Sequence, residues 1–292
     1  MEKLVARAPA KINLTLRITA RRPDGFHDLV SLVAFAGAGD LLTLEPDAPL
    51  AIALEGPTAG AAGPDADNLV LRAARAFSEQ VPGARLGAFR LLKRLPVAAG
   101  LGGGSADAGA ALRLLATLNG LDALDPRLFA AAATCGADVP VCVDPRARLM
   151  EGVGERLSPP LDLPPLFCVL VNCRVPVPTA DVFRALGLRA GEDLPGPAHP
   201  LVAEALTQKP DDLVTLLASL PNDLEPPAKV IAPQIVQVME LLAAQPEARL
   251  VRMSGSGATV FALTQDCHAA ARLARRISAS NPEWWVRPTA LR

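Results

Sequence analysis

Residues 96–112, PVAAGLGGGSADAGAAL, set three consecutive glycines at the entrance of a run of small, helix-forming residues. Glycine lets the backbone approach an anion with no Cβ in the way, and successive N–H groups can then converge on its oxygens. A helix N-terminus adds four unpaired N–H groups and the positive end of the helix dipole. Ser105 is placed to cap that helix, with Ala106, Ala108, Ala110, Ala111 and Leu112 as good helix material behind it. Residues 88–95, AFRLLKRL, read as a strand closed by Pro96, so the context is strand, glycine loop, helix: a phosphate cradle. A glycine-rich linker is the alternative, and the ordered elements on both sides weigh against it. Neither familiar glycine motif fits. A P-loop ends in Gly-Lys-Ser/Thr, whereas Gly104 is followed directly by Ser105; a G-x-G-x-x-G read from Gly100 meets Ser105 at its last position.

A polyphosphate held without a P-loop lysine needs a cation from elsewhere. Residues 9–19, PAKINLTLRIT, alternate apolar and polar as one half-buried strand, which puts Lys11 and Asn13 side by side on its polar face. Lys11 is the candidate cation, although alone it reads equally as a solvated strand lysine. Asp138, in the Gly-Ala-Asp that closes a helix at residues 126–135, is a second candidate and alone reads as a turn residue. Between them, Pro23-Asp24-Gly25 is a turn that delivers Phe26 and His27 to the next strand.

The remaining pattern mixes strands and helices. Strands are expected at residues 29–35, 40–44, 50–54, 141–143, 166–172, 249–253, 258–263 and 284–287, the early ones as a meander. Helices are expected at 68–81, 105–118, 126–135, 180–186 (capped by Thr179), 201–206, 211–217, 232–244 and 266–278. A second glycine loop, Ser254 to Gly257, lies between two strands. With 292 residues, two domains are expected, and the proline-rich stretch 158–165 suggests a division into 1–158 and 159–292, both α+β.

Net charge is −1, which offers no broad surface for nucleic acid or an acidic membrane, so any anionic ligand must be held locally. Five cysteines without a C-x-x-C pair and only three histidines argue against zinc and against a disulfide framework. The N-terminus lacks a signal-peptide core and no apolar run is long enough to span a bilayer, so a cytoplasmic protein is expected.

Taken together, PVAAGLGGGSA resembles the second motif of the GHMP small-molecule kinases, a superfamily that includes galactokinase, homoserine kinase and mevalonate kinase. APAKINLTL, RPDGFHDL, DNLV, GADVPVCV, EGVGE, VPTADVF, NDLE and SGSGATVFAL follow in the order and spacing of its 4-diphosphocytidyl-2-C-methyl-D-erythritol kinase family, from about Ala8 to Leu263. The resemblance implies a ribosomal-protein-like α+β domain followed by a ferredoxin-like one. It implies ATP along Pro96, Val97, Ala98, Ala99, Gly100, Leu101, Gly102, Gly103, Gly104, Ser105 and Ala106, with Asn68 near the adenine and Mg²⁺ as cofactor but no dedicated protein metal site. Asp138 would act as base on the substrate 2-hydroxyl, with Lys11 between that hydroxyl and the γ-phosphate. Phe26, His27 and Phe183 would grip the cytosine, Asn13 and Thr179 would add polar contacts, and Ser254 and Gly255 would cover the diphosphate. Phe26 stands where this family often has tyrosine. Asp107, in the first turn of the phosphate helix, is expected to face away or to contact the metal. The partner is a small molecule, a cytidine-diphosphate-linked polyol, and the chain is expected as a monomer or weak homodimer. A sister kinase of the mevalonate or homoserine type, or a non-catalytic nucleotide-binding regulator, remains as the alternative.

Overall fold

The computed structural model describes residues 2–62, 68–196 and 210–292; Asp67 and the helix expected at 201–206 lie outside these. The described chain forms two compact units that do not follow a single cut at residue 158. The first comprises residues 1–11, 38–97 and 102–145, the second residues 12–37, 98–101 and 146–292.

The first unit holds most of β1 (Leu4–Asn13), the second half of β3 (His27–Pro46), β4 (Ala51–Glu55) and β5 (Gly87–Leu92). Here β5 runs antiparallel to β3, Leu41 facing Leu92, and β4 runs parallel to β5, Ala51 facing Ala88. The expected meander is therefore wrong, because β5 intervenes between β3 and β4. Four helices pack on one another in this unit: α1 (Leu69–Gln80), α2 (Gly103–Leu118), α3 (Pro126–Cys135) and α4 (Val139–Val143). Asp125 caps α3 by accepting from the Arg127 N–H, with Pro126 in the first turn, and the helix covers the residues 126–135 expected of it. Residues 139–143 are helical, whereas a strand was expected over 141–143. An apolar run this short carries no decisive period, and all five residues are buried.

The second unit pairs the first half of β3 with β2 (Arg17–Arg21) and β6 (Arg148–Gly152), and β6 with β7 (Arg156–Leu157). It continues through β8 (Leu166–Asn172), α5 (Thr179–Ala185), α6 (Pro210–Ser219), α7 (Glu225–Ile231), α8 (Gln234–Ala243), β9 (Leu250–Met253), β10 (Val260–Leu263), α9 (Cys267–Ser280) and β11 (Trp285–Leu291). The strand order β11-β8-β10-β9, antiparallel throughout, is the split β-α-β arrangement of a ferredoxin-like sheet. Val169, Val171, Val260, Ala262, Ile235, Val238, Leu273 and Ile277 fill its core.

Two strand expectations change. The single strand over 9–19 is two, β1 and β2. The Leu14 and Thr15 N–H groups both turn to the Leu32 carbonyl (2.8 and 3.4 Å), and Thr15 Oγ1 accepts from the Leu32 N–H (3.0 Å), which interrupts the ladder. Its polar face is also buried rather than solvated: Lys11, Asn13 and Thr15 are each less than 5% exposed, because each polar group finds a partner. Conversely, the strands expected at 29–35 and 40–44 are one continuous β3. Gly39 does not break it. A Cβ there would collide with the Ala8 carbonyl, so glycine serves the close approach of β1.

Candidate active site

In the first unit the Lys11 ammonium lies 2.6 Å from the Asp138 carboxylate. Asp138 immediately precedes α4 but makes no side-chain capping bond, so its carboxylate is available to the lysine. Gly102, at φ +60°, is the N-cap residue of α2, and a Cβ there would sit 3.3 Å from the Lys11 side chain. The glycine loop thus rests directly on the Lys11 stem. Ser105 is not the cap: it lies inside the first turn, because the left-handed turn at Gly102 starts the helix earlier. The N–H groups of Gly103, Gly104 and Ser105 therefore open this helix with no carbonyl a turn before them, while the Ala106 N–H is the first to find one, at Gly102 (2.8 Å). Asn68 caps α1 through Oδ1, which accepts from the Val70 N–H at 2.9 Å, and the start of α1 reaches Gly104, whose Cβ would lie 3.2 Å from Leu69.

Asp107 neither faces away nor stands open to a metal. Lys93 Nζ donates to both Asp107 (2.7 Å) and Asp40 (2.5 Å), and all three side chains are buried. Asp40 also accepts from the Arg94 and Leu95 N–H groups. Burial pushes the Asp107 carboxyl up to about 8, Asp40 adding to that and Lys93 opposing it. Burial alone would lower the Lys93 ammonium, but the two carboxylates outweigh it and raise it. One buried cation thus faces two carboxyl groups, and a proton on Asp107 leaves the cluster neutral. Lys93 Nζ would lie 3.7 Å from a Cβ on Gly103, which sets this cluster beneath the start of α2.

The second unit gathers the remaining candidates. Ala98 (φ +52°) and Gly100 (φ +72°) give the loop its left-handed bends. Ser254 Oγ donates to the Gly100 carbonyl (2.9 Å), the Asn13 N–H donates to Ser254 Oγ (3.1 Å), and the Thr259 N–H donates to the Ala99 carbonyl (3.1 Å). The two glycine loops are therefore stitched together here. Asn13 Nδ2 donates to Ser31 Oγ at 2.8 Å. His27 packs on Phe183 with ring centroids 4.8 Å apart, and Phe26 beside it is 62% exposed. Burial holds the His27 imidazolium below its usual value, helped by the Arg21 guanidinium, and its buried Nε2 has no partner among the described residues. Thr179 does not cap α5. Pro178 occupies that position, and the Thr179 hydroxyl instead meets Ser256 Oγ at 2.8 Å.

Asn222 has a role that its place in the NDLE motif did not reveal. Its Nδ2 donates to the Met253 and Gly255 carbonyls (2.9 and 2.8 Å), shaping the loop that carries Ser254 and Gly255. Glu225 accepts from the Met253 N–H at 3.1 Å. Among the described residues no cluster of three or more His, Cys, Asp or Glu is arranged to hold a metal ion, and no helix is long and apolar enough to cross a membrane.

Residues 68–144 match the GHMP kinases N terminal domain and residues 201–283 the GHMP kinases C terminal domain. The chain is 68% identical to the 4-diphosphocytidyl-2-C-methyl-D-erythritol kinase of Azorhizobium caulinodans and 70% identical to that of Xanthobacter autotrophicus, each over the full length of both proteins. A crystal structure of a 4-(cytidine 5'-diphospho)-2C-methyl-D-erythritol kinase superposes with a TM-score of 0.75 at 35% identity, covering 99% of each chain. A homoserine kinase from Cytophaga hutchinsonii, at 19% identity and a TM-score of 0.72 over 99% of this chain and 95% of its own, shares the fold.

Proposed function

The chain belongs to the 4-diphosphocytidyl-2-C-methyl-D-erythritol kinases of the GHMP family, and from that premise we propose how its own residues carry the reaction. It transfers the γ-phosphoryl group of ATP to the 2-hydroxyl of 4-diphosphocytidyl-2-C-methyl-D-erythritol, in the non-mevalonate route to isoprenoid precursors. Asp138 takes the proton from that hydroxyl. Lys11 orients the carboxylate and brings positive charge to the transferring phosphoryl group. The observation that carries this assignment is the 2.6 Å Lys11–Asp138 pair set against the glycine loop. Phosphoryl transfer passes through a loose transition state with little covalent work for the protein, so positioning and charge supply most of the catalysis.

The backbone of residues 96–106 holds the triphosphate, with the N–H groups of Gly103, Gly104 and Ser105 and the α2 dipole on its oxygens. Asn68 spends Oδ1 on its helix cap, which leaves Nδ2 to donate toward the adenine end. On the substrate side Phe26 and Phe183 offer flat faces to the pyrimidine. Stacking is worth ~1–3 kcal/mol per base but tolerates any base, so His27 Nε2 and Asn13 supply the edge contacts that select cytosine. Thr179, Ser254 and Gly255 hold the ribose and diphosphate side. The chain passes between the two units at Lys11–Ile12, Gly37–Ala38, Val97–Ala98, Leu101–Gly102 and Pro145–Arg146.

Mg²⁺ fits this arrangement as a companion of the triphosphate, since the Ser105 hydroxyl in the first turn of α2 is an oxygen donor and the described residues form no carboxylate cage of their own. When bound, it neutralises charge on the phosphoryl oxygens. The enzyme is read as cytoplasmic, and as a monomer or weak homodimer.

ADP release with Mg-ATP and the cytidyl substrate, mevalonate or homoserine tests the reading. Turnover with the first alone supports it; equal turnover with either of the others sinks it.

A further inference from the structure

We propose that Arg113 is a positioning residue for the Lys11–Asp138 pair, tying the three elements that carry the phosphate helix, the base and the cation into one block. The inference rests on the catalytic reading of that pair.

Arg113 lies on α2, the helix whose first turn faces the phosphates. Its Nη1 donates to the Cys142 carbonyl at 2.5 Å and reaches the Val143 carbonyl at 3.3 Å; its Nη2 donates to the Arg7 carbonyl at 2.6 Å. Cys142 and Val143 end α4, and their carbonyls have no partner further along that helix. Asp138 stands at the opposite end of the same five-residue helix. Arg7 is on β1, the strand that carries Lys11. One guanidinium therefore satisfies the orphan carbonyls behind the base and pins the strand that bears the cation, from the helix that bears the phosphates.

The packing around it is equally specific. Gly109 sits one turn before Arg113, and a Cβ there would run into the Cys142 carbonyl, so the two helices meet at backbone contact. A helix as short as α4 has little stability of its own, and its placement depends on such neighbours. The planar fork of arginine can span carbonyls from two elements in fixed directions, which a lysine ammonium does less well. All three acceptors are backbone carbonyls, as expected of a clamp on the main chain. Neither Lys11 nor Asp138 is among the hydrogen-bond partners of Arg113, so its effect on the chemistry is one of placement.

The test compares Arg113→Met, Arg113→Lys and Arg113→Ala with wild type and Asp138→Asn, measuring kcat, both KM values and thermal midpoints. In Arg113→Met, kcat falls about 10- to 100-fold, the scale of a misplacement near 1 Å. Both KM values stay within about twofold, and Arg113→Lys recovers part of the loss. Added guanidinium ion raises kcat of Arg113→Ala without changing KM, a response that a purely structural defect would not give. A folded Arg113→Met with wild-type kcat, or one that changes only KM, overturns the proposal. If Arg113→Met does not fold, Arg113→Lys decides: a reduced kcat at unchanged KM supports the clamp, and wild-type kcat overturns it. An active Asp138→Asn would instead remove the catalytic reading itself, whereas an inactive Asp138→Asn beside a fully active Arg113→Met removes only the clamp.

Discussion

Lys11 and Asp138 form a 2.6 Å ion pair whose two ends differ in exposure: the lysine side chain is 5% exposed and the aspartate 39%. A buried ammonium is expensive to desolvate, and replacing such a pair by apolar groups is often neutral or stabilising. Stability is therefore a poor reason for the arrangement. A cation anchored in the interior, with its carboxylate reaching outward, suits proton removal beside a phosphoryl group.

Asp138→Asn is expected to abolish turnover while leaving ATP affinity nearly unchanged, as titration calorimetry would show. Losing the partner of a buried charge can cost about 3–5 kcal/mol. Here the loss is smaller, because water already reaches Asp138. Retained activity would remove the base assignment.

The Asp40–Lys93–Asp107 cluster predicts a pH-dependent stability difference. Asp107 titrates near 8 in the folded protein against an ordinary 3.8, so between those values the folded state binds more protons and stability falls as pH rises. Asp107→Asn lacks this loss. Its thermal midpoint should gain on that of wild type as pH is raised from about 4 toward about 8 and gain no more above that, with turnover within a few fold. A difference independent of pH contradicts the assignment, and a large loss of turnover would point to a metal role.

Phe183→Ala should raise KM for the cytidyl substrate about 5-fold or more, consistent with ~1–3 kcal/mol for a stacked base; His27→Ala should raise it too, through the lost edge contact, and both should leave KM for ATP unchanged. Lowered affinity for ATP as well would place these rings elsewhere in the reaction.

Gly100→Ala should raise KM for ATP and lower the thermal midpoint. Its φ of +72° disfavours a side chain, and the added Cβ would collide with the Ser254 carbonyl. Gly120 is the control: its φ is +66°, but open space surrounds it. Gly120→Ala should lose about 1 kcal/mol of stability from backbone strain alone and keep its kinetics. Equal effects at both sites would mean that the contact with Ser254 has no role in shaping the loop.

Much of this was legible along the chain because it is locally encoded. The Asp125–Pro126 start of α3, the turn at Pro23-Asp24-Gly25 and the glycine loop opening α2 each follow from a few adjacent residues. What was illegible depends on partners far away. Gly102 displaces Ser105 as cap where the loop packs on Lys11, and Thr179 gives up its capping role to meet Ser256. Asp40, Lys93 and Asp107 share no spacing that a periodicity could reveal, yet one ammonium joins them. Asn222 stood in a recognisable motif, but its two carbonyl partners lie on a loop some thirty residues on.

The most direct test of the central claim is the phosphorus NMR spectrum of the product made from the cytidyl substrate and Mg-ATP. Carbon 2 of the acceptor carries a methyl group and no hydrogen, so a phosphate on its hydroxyl gives a monoester signal without three-bond coupling to a carbon-bound proton. That uncoupled signal, appearing with stoichiometric ADP, is the predicted result. A monoester signal split by neighbouring protons, or no new monoester at all, would contradict it.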